Sequence, residues 1–380
     1  MLSLSRGFWN KHRRKLFIAL GALGGGYAIY KFYDAHRRRV TLLERQLEGV
    51  RDVDELIKSQ LQNHFENIQR ISDTTTLPYA MHYLKSRIAA DLDVSYLTEK
   101  LRQAKGQYST LTTKDKAELW ERLKILSFTR LATSIWSMTV LCLYVKVLVN
   151  ILGRHLYVDI ARGSESSETL DEVESFGRHG HQEFLATADY LSTYGISTLI
   201  MNMQSAAAEV LKDKQLKDPF SMEKLHEMIM QILQLFMSIE SPNYWISYLV
   251  PENAVTYRQM MALPFSGFDD TSALMDVGKL EQLVSETWAV LSSTEFRNIT
   301  ELSLNKLVNV LVEEIDMQLK GGSSSASEAI PLVTLLPRVT QLAPQLLDEP
   351  SSNKFIQIIQ SLPEVQFFYT LVYSNTPPLS

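Results

Sequence analysis

Apolar positions along most of this chain recur at three- and four-residue steps, the spacing that places side chains on one face of an α-helix. Leu43, Leu47, Val50, Ile57, Leu61, Phe65 and Ile68 form the first run and predict one long amphipathic helix. Thr74-Thr75-Thr76 before Leu77-Pro78 predicts a break, and a second helix follows over Tyr79–Lys105 with Gly106 as its stop. A third helix is expected from about Thr113 to about Ala161, because Thr112, Thr113 and Asp115 suit a helix N-terminus. The period returns in Glu183–Ser192, Ser197–Leu211, Met222–Ile239, Ala273–Ser293, Leu302–Leu319, Val333–Leu347 and Phe355–Tyr373. Gly163–Glu168 and Gly321–Ser327 read as loops, and no alternating strand pattern or fixed-period repeat stands out. The expectation is an all-α fold, an elongated bundle of long helices forming one soluble domain over residues 34–380.

Two stretches break the amphipathic rule. Leu16–Tyr30 carries no charge and lies between Lys15 and Lys31. Extended to Tyr33 it reaches roughly 27 Å as a helix, close to the ~30 Å hydrocarbon core of a bilayer. Phe8, Trp9 and Phe17 lie towards one rim, with Tyr27, Tyr30, Phe32 and Tyr33 towards the other. Its basic exit, YKFYDAHRRR, lacks the small-x-small pattern of a cleavage site, so residues 16–33 are expected to be an uncleaved transmembrane anchor in contact with lipid. Both flanks are basic, so charge does not set its orientation. The second stretch, Leu131–Leu152, is interrupted only by Lys146 and diluted by Thr133, Ser134, Ser137 and Thr139; it is expected to be the buried central helix of the bundle rather than a second span.

Charge is distributed to match. The first forty residues hold nine Lys/Arg against Asp34 alone, a balance of +8, which leaves 29 bases and 42 acids, or −13, for the remainder. A basic start on an acidic body fits a membrane-proximal N-terminus and argues against a nucleic-acid binder. Cys142 is the single cysteine, which excludes an internal disulfide and multi-cysteine metal sites and fits a body facing a reducing compartment.

Catalytic signatures are absent: there is no GxSxG elbow and no phosphate-binding GxxxxGK[ST]. His226-Glu227 opens like a zincin motif, but Met230 stands where the second histidine belongs. His179, His181 and Glu183 read as a polar loop before a helix, and the sequon at Asn298 falls in a helical pattern. No enzyme activity, metal, cofactor or small-molecule substrate is expected. The stronger signal is for binding. Lys116, Trp120, Leu123 and Ser127 share a narrow arc of the third helix, and an aromatic beside a leucine and a cation is the composition of an interface anchor.

The same helix carries a resemblance. Glu118–Arg130 (ELWERLKILSFTR) closely resembles the signature helix of the peroxin-3 family, the peroxisomal biogenesis factor 3 proteins. The short anchor behind a basic cluster, His64–Arg70 (HFENIQR) and Asn150–Asp159 (NILGRHLYVD) follow in the family's order. The resemblance implies a single-pass peroxisomal membrane protein, possible transit through the endoplasmic reticulum included, whose helical body faces the cytosol. It implies that the body docks the chaperone-receptor peroxin-19 through that partner's N-terminal amphipathic helix, so that peroxisomal membrane proteins can be inserted. Lys116, Trp120 and Leu123 match the family's docking positions, and Lys11, Arg13, Arg14 and Lys15 its membrane-targeting element. An alternative is a membrane tether or adaptor for organelle inheritance or turnover that works through the helical body. The His179/His181 segment has no counterpart in the family pattern.

Overall fold

The computed structural model describes residues 53–104, 112–163, 181–241, 243–261, 270–320 and 330–374. The targeting segment 1–15, the anchor 16–33, the helix start at Leu43–Val50, Gly106, His179 and the loops Gly163–Glu168 and Gly321–Ser327 lie wholly or almost wholly outside those residues.

Within them the all-α expectation holds. The helices are α1 Val53–Ile71, α2 Leu77–Asp91, α3 Ser95–Gln103, α4 Thr113–Gly163, α5 (181–186), α6 Ile196–Leu211, α7 Met222–Met237, α8 Ala254–Met261, α9 Asp270–Leu291, α10 Thr294–Lys320, α11 Leu332–Gln345, α12 Lys354–Gln360 and α13 Pro363–Ser374. Among the described residues the extended structure is one antiparallel pair, β1 Pro219–Phe220 with β2 Ile330–Pro331, in which Phe220 faces Ile330.

Helix α4 is the axis of the body. Its 51 residues span about 76 Å at 1.5 Å per residue. Every residue from Leu131 to Arg154 is buried, because α1, α2, α6, α9, α10, α11 and α13 pack around it. Length and apolarity alone would let α4 cross a membrane, but its apolar window is wholly covered by protein. The expected central helix is what the fold contains. Two of its buried hydroxyls turn back on the helix itself: Thr139 Oγ1 donates to Ile135 O at 2.8 Å, and Thr129 Oγ1 to Ile125 O at 2.8 Å.

Lys146, the charge inside this apolar run, stands 3.4 Å from Asp73 Oδ1 and 5.6 Å from the centre of the Tyr369 ring. Asp73 also accepts from Gln360 Nε2 at 2.8 Å. Burial raises the Asp73 carboxyl above its ordinary range, and the Lys146 ammonium opposes the rise. Asp73 lies on the π-helical turn Ser72–Thr76, where a full break was expected. Pro78 brings no N–H to the helical ladder, so the chain widens by one turn and carries on from α1 into α2.

Other boundaries depart from the sequence pattern for local reasons. The helix expected over Tyr79–Lys105 is two, split at Leu92-Asp93-Val94, where Asp93 Oδ1 accepts from Ser95 N at 2.9 Å and restarts the helix. The helix expected from Leu302 begins at Thr294, because Ser293 Oγ receives Phe296 N at 3.1 Å. The one expected over Phe355–Tyr373 is divided before Pro363, which disfavours helical geometry at Leu362. A 3₁₀ segment, Tyr244–Tyr248, and α8 were not anticipated; Tyr248, Tyr257 and Trp245 enter the core, with Trp245 5.9 Å from Trp136. Asn298 lies inside α10 beside buried Thr300, so the sequon is an accident of helical sequence.

The α9 helix offers a simple check on the backbone. A Cβ added at Gly278 would meet no atom within 4 Å, and glycine inside a helix costs roughly 0.5–1 kcal/mol relative to alanine. Gly278→Ala is therefore expected to raise the midpoint of thermal unfolding by a few degrees, followed by circular dichroism.

Candidate docking site

The N-terminal third of α4 holds the predicted stripe. A reciprocal cap starts it: Thr112 N donates to Asp115 Oδ2 at 3.0 Å, and Asp115 N to Thr112 Oγ1 at 3.2 Å. Hydrogen bonding from Thr112 holds the Asp115 carboxyl below its ordinary value. One turn further, Lys116 is half-buried. Trp120 is also half-buried and touches both the main core and a smaller apolar cluster beside it. Leu123 is 6% exposed and belongs to that smaller cluster with Val94, Leu97 and Leu101 of the α3 segment. Ser127 is buried, receiving Thr340 Oγ1 at 3.2 Å. The stripe thus runs from solvent into the core over three turns. Lys116 and Trp120 keep part of their surface open to solvent; Leu123 is covered by α3.

The next residue along shows what holds this end of α4 in place. Lys124 is 1% exposed, and its Nζ donates to Leu211 O at 3.1 Å and Lys214 O at 2.7 Å, while lying 2.8 Å from Glu121 Oε1. The ammonium caps the carbonyl end of α6, where the helix dipole is negative. Nothing in the sequence marks Lys124 for burial. It follows a leucine in a charged stretch, and only the packing of α6 against α4 gives it a role.

Contacts along α4 set the register of the rest. His64 Nδ1 lies 2.6 Å from Tyr373 Oη, and its ring is 5.7 Å from that of Tyr157. Gln69 Nε2 donates to Asn150 Oδ1 at 2.8 Å, and Asp73 meets Lys146. Helix α1 therefore runs antiparallel to the second half of α4. The described chain begins at the end of α4 opposite Trp120, and Trp120 and Tyr157 are about 55 Å apart along the axis. At the α1 end, Glu286 of α9 pairs with Arg154 and with His155 Nε2, the latter at 2.7 Å, and Arg154 Nη1 donates to Val372 O at 2.8 Å.

Among the described residues no group of three His, Cys, Asp or Glu side chains stands together as a metal site. Glu183, next to the histidine loop, is held by Arg258, whose Nε and Nη2 donate to Glu183 Oε2 at 2.9 and 2.6 Å. One buried carboxyl is left over. Asp189, on the 3₁₀ turn Thr187–Asp189, has no hydrogen-bond partner for Oδ1, and burial pushes its pKa up to about 7. In the unfolded chain it titrates near 3.8, so between the two values the native state holds the proton. Stability is then expected to fall as pH rises from about 4 to about 7, by at most roughly 1.4 kcal/mol per unit from this group. Asp189→Asn should flatten that slope, measured by urea unfolding at pH 5, 6 and 7.5.

A long buried helix wrapped by amphipathic ones, with a half-buried tryptophan and lysine near its N-terminal end, defines an all-helical bundle built on one central helix. The peroxin-3 family model matches residues 106–375, and the chain belongs to that family. It is similar to peroxisome biogenesis protein 3-1 of Arabidopsis thaliana, 45% identical over 376 residues that cover 99% of this chain and 100% of that one. It is likewise similar to peroxisome biogenesis protein 3-2 of the same plant, 47% identical over 373 residues covering 98% and 99%. The human peroxisomal biogenesis factor 3 is 25% identical over 397 residues, covering 98% of each chain. The protein is accordingly a peroxisome biogenesis factor, associated with peroxisomes, and not an enzyme.

Proposed function

We propose that the protein is a membrane-anchored docking receptor for peroxin-19, which it receives so that peroxisomal membrane proteins can be inserted. Residues 16–33 span the peroxisomal membrane once, behind the basic targeting cluster Lys11, Arg13, Arg14 and Lys15. The body, residues 34–380, faces the cytosol, where a lone buried thiol at Cys142 suits reducing conditions. Trp120 and Leu123 meet the apolar face of the partner's N-terminal helix, and Lys116 pairs with an acid at its rim.

The observation that carries this reading is the position of Trp120. It is a half-buried aromatic near the N-terminal end of α4, about 55 Å along the helix from the end beside which α1 begins. A tether at one end and an anchor residue at the other holds the docking face clear of the bilayer. The test is a titration of the full chain, in detergent, with a peptide of the peroxin-19 N-terminal helix. Saturable binding that protects Lys116–Leu123 from hydrogen exchange supports the proposal, and protection confined to other helices overturns it.

A further inference from the structure

The face that carries Leu123 already has a helix seated on it. Val94, Leu97 and Leu101, 4%, 4% and 6% exposed, close over Leu123, and these residues form an apolar cluster separate from the main core. Leu119, Trp120 and Leu126 pack around its edge. Leu97 and Leu101 are one turn apart, so α3 turns a two-leucine face to α4. Its charged residues pair within the helix instead: Arg102 Nε donates to Glu99 Oε2 at 2.9 Å and Gln103 Nε2 to Glu99 Oε1 at 2.9 Å, while Lys100 Nζ lies 4.5 Å from the Tyr96 ring. In form, α3 is a short amphipathic helix docked on the stripe that the proposed function gives to a partner's amphipathic helix.

We infer that α3 is an intramolecular occupant of the docking face, covering Leu123 in the free protein and displaced when the partner helix binds; this rests on the docking reading above. Two physical points support displacement. A nine-residue helix is too short to persist alone in water, so α3 keeps its shape only while it lies on α4. Its contacts belong to a satellite cluster, so it can open locally while the main core, from Ile68 to Val372, stays closed. An occupied face lowers the apparent affinity by the fraction of molecules in which it is uncovered, which makes α3 a threshold against weaker helices. If α3 were a fixed wall beside the partner, Leu123 would remain inaccessible and the stripe would contribute only Lys116 and Trp120.

Hydrogen–deuterium exchange of the full chain in detergent, with and without the peroxin-19 N-terminal peptide, separates these cases. Displacement predicts that amides of residues 95–103 exchange about tenfold faster in the complex than in the free protein, while those of Lys116–Leu123 slow down. The double variant Leu97→Ser/Leu101→Ser is then expected to bind the peptide about tenfold more tightly, with an unchanged main unfolding transition. If the wild type binds through Trp120 but α3 amides are slowed or unaltered, the inference about α3 is overturned and the docking reading survives. If peptide binding does not depend on Trp120, the docking reading itself fails, and the inference with it. The exchange measurement on the wild type decides the matter even if the double variant does not fold.

Discussion

Gly195→Ala is expected to leave little or no folded protein. Gly195 lies at the end of the π-helical turn Leu191–Gly195, where α6 begins against the 3₁₀ segment Tyr244–Tyr248. A Cβ there would overlap the Tyr248 carbonyl oxygen and stand 2.8 and 2.9 Å from the carbonyl carbon and Cα. All of these are backbone atoms in a packed core, so no side chain can rotate to make room. The cost is the separation of two core elements, at the exceptional end of single substitutions, above about 4 kcal/mol. Against a typical total of roughly 5–15 kcal/mol, that removes much or all of the stability. Soluble yield and the thermal midpoint of Gly195→Ala, compared with those of Gly278→Ala, check this; a variant as stable as the wild type would show that the two elements do not approach so closely. Gly153 forms an intermediate case, because the nearest atoms to its added Cβ belong to the movable end of Ile68, at 2.8 Å.

Trp120→Ala is expected to weaken binding of the peroxin-19 N-terminal helix by about 2 kcal/mol or more, roughly a thirtyfold rise in Kd. The tryptophan sits in the middle of the stripe between Lys116 and Leu123, where truncation removes both contact area and the exclusion of water around it. Because Trp120 also packs on both apolar clusters, the variant loses some stability of its own. Lys116→Glu avoids that difficulty. It touches neither apolar cluster, reverses the charge at the rim, and is expected to reduce affinity less and mainly at low salt. Calorimetric titration of both variants, with the melting transition recorded alongside, checks the pair. Unchanged affinity in a folded Trp120→Ala protein would move the docking face elsewhere.

The helix class and the extent of α4 were legible because they depend on local signals. The Thr112–Asp115 cap and the unbroken run after it mark a helix, whatever packs around it. Proline at position 363 and asparagine-like capping by Asp93 were equally local, yet they lay inside a continuing apolar period and were outweighed by it. The π turns at Ser72–Thr76 and Leu191–Gly195 fell where the sequence pattern gave full breaks, since an extra residue in one turn interrupts the apolar phase without ending the helical course of the chain.

The docking stripe shows the same division. That Lys116, Trp120 and Leu123 share one face follows from the 3.6-residue period and needs no fold. Which of them reaches solvent was decided by α3, whose leucines come from a separate stretch of chain and leave Leu123 buried. Leu131–Leu152 is long and apolar enough for either a membrane or a core, and composition cannot separate two environments that both exclude water. The helices packed around it made it a core, and gave Lys146 the carboxylate of Asp73 that a charge in that position needs. By itself, then, the sequence determined the all-helical body, the extent of α4 and the shared face of the stripe, because these are properties of neighbouring residues. The tertiary structure decided burial, charge pairing and the opposite placement of Trp120 and the start of α1, because each depends on residues brought together from distant parts of the chain.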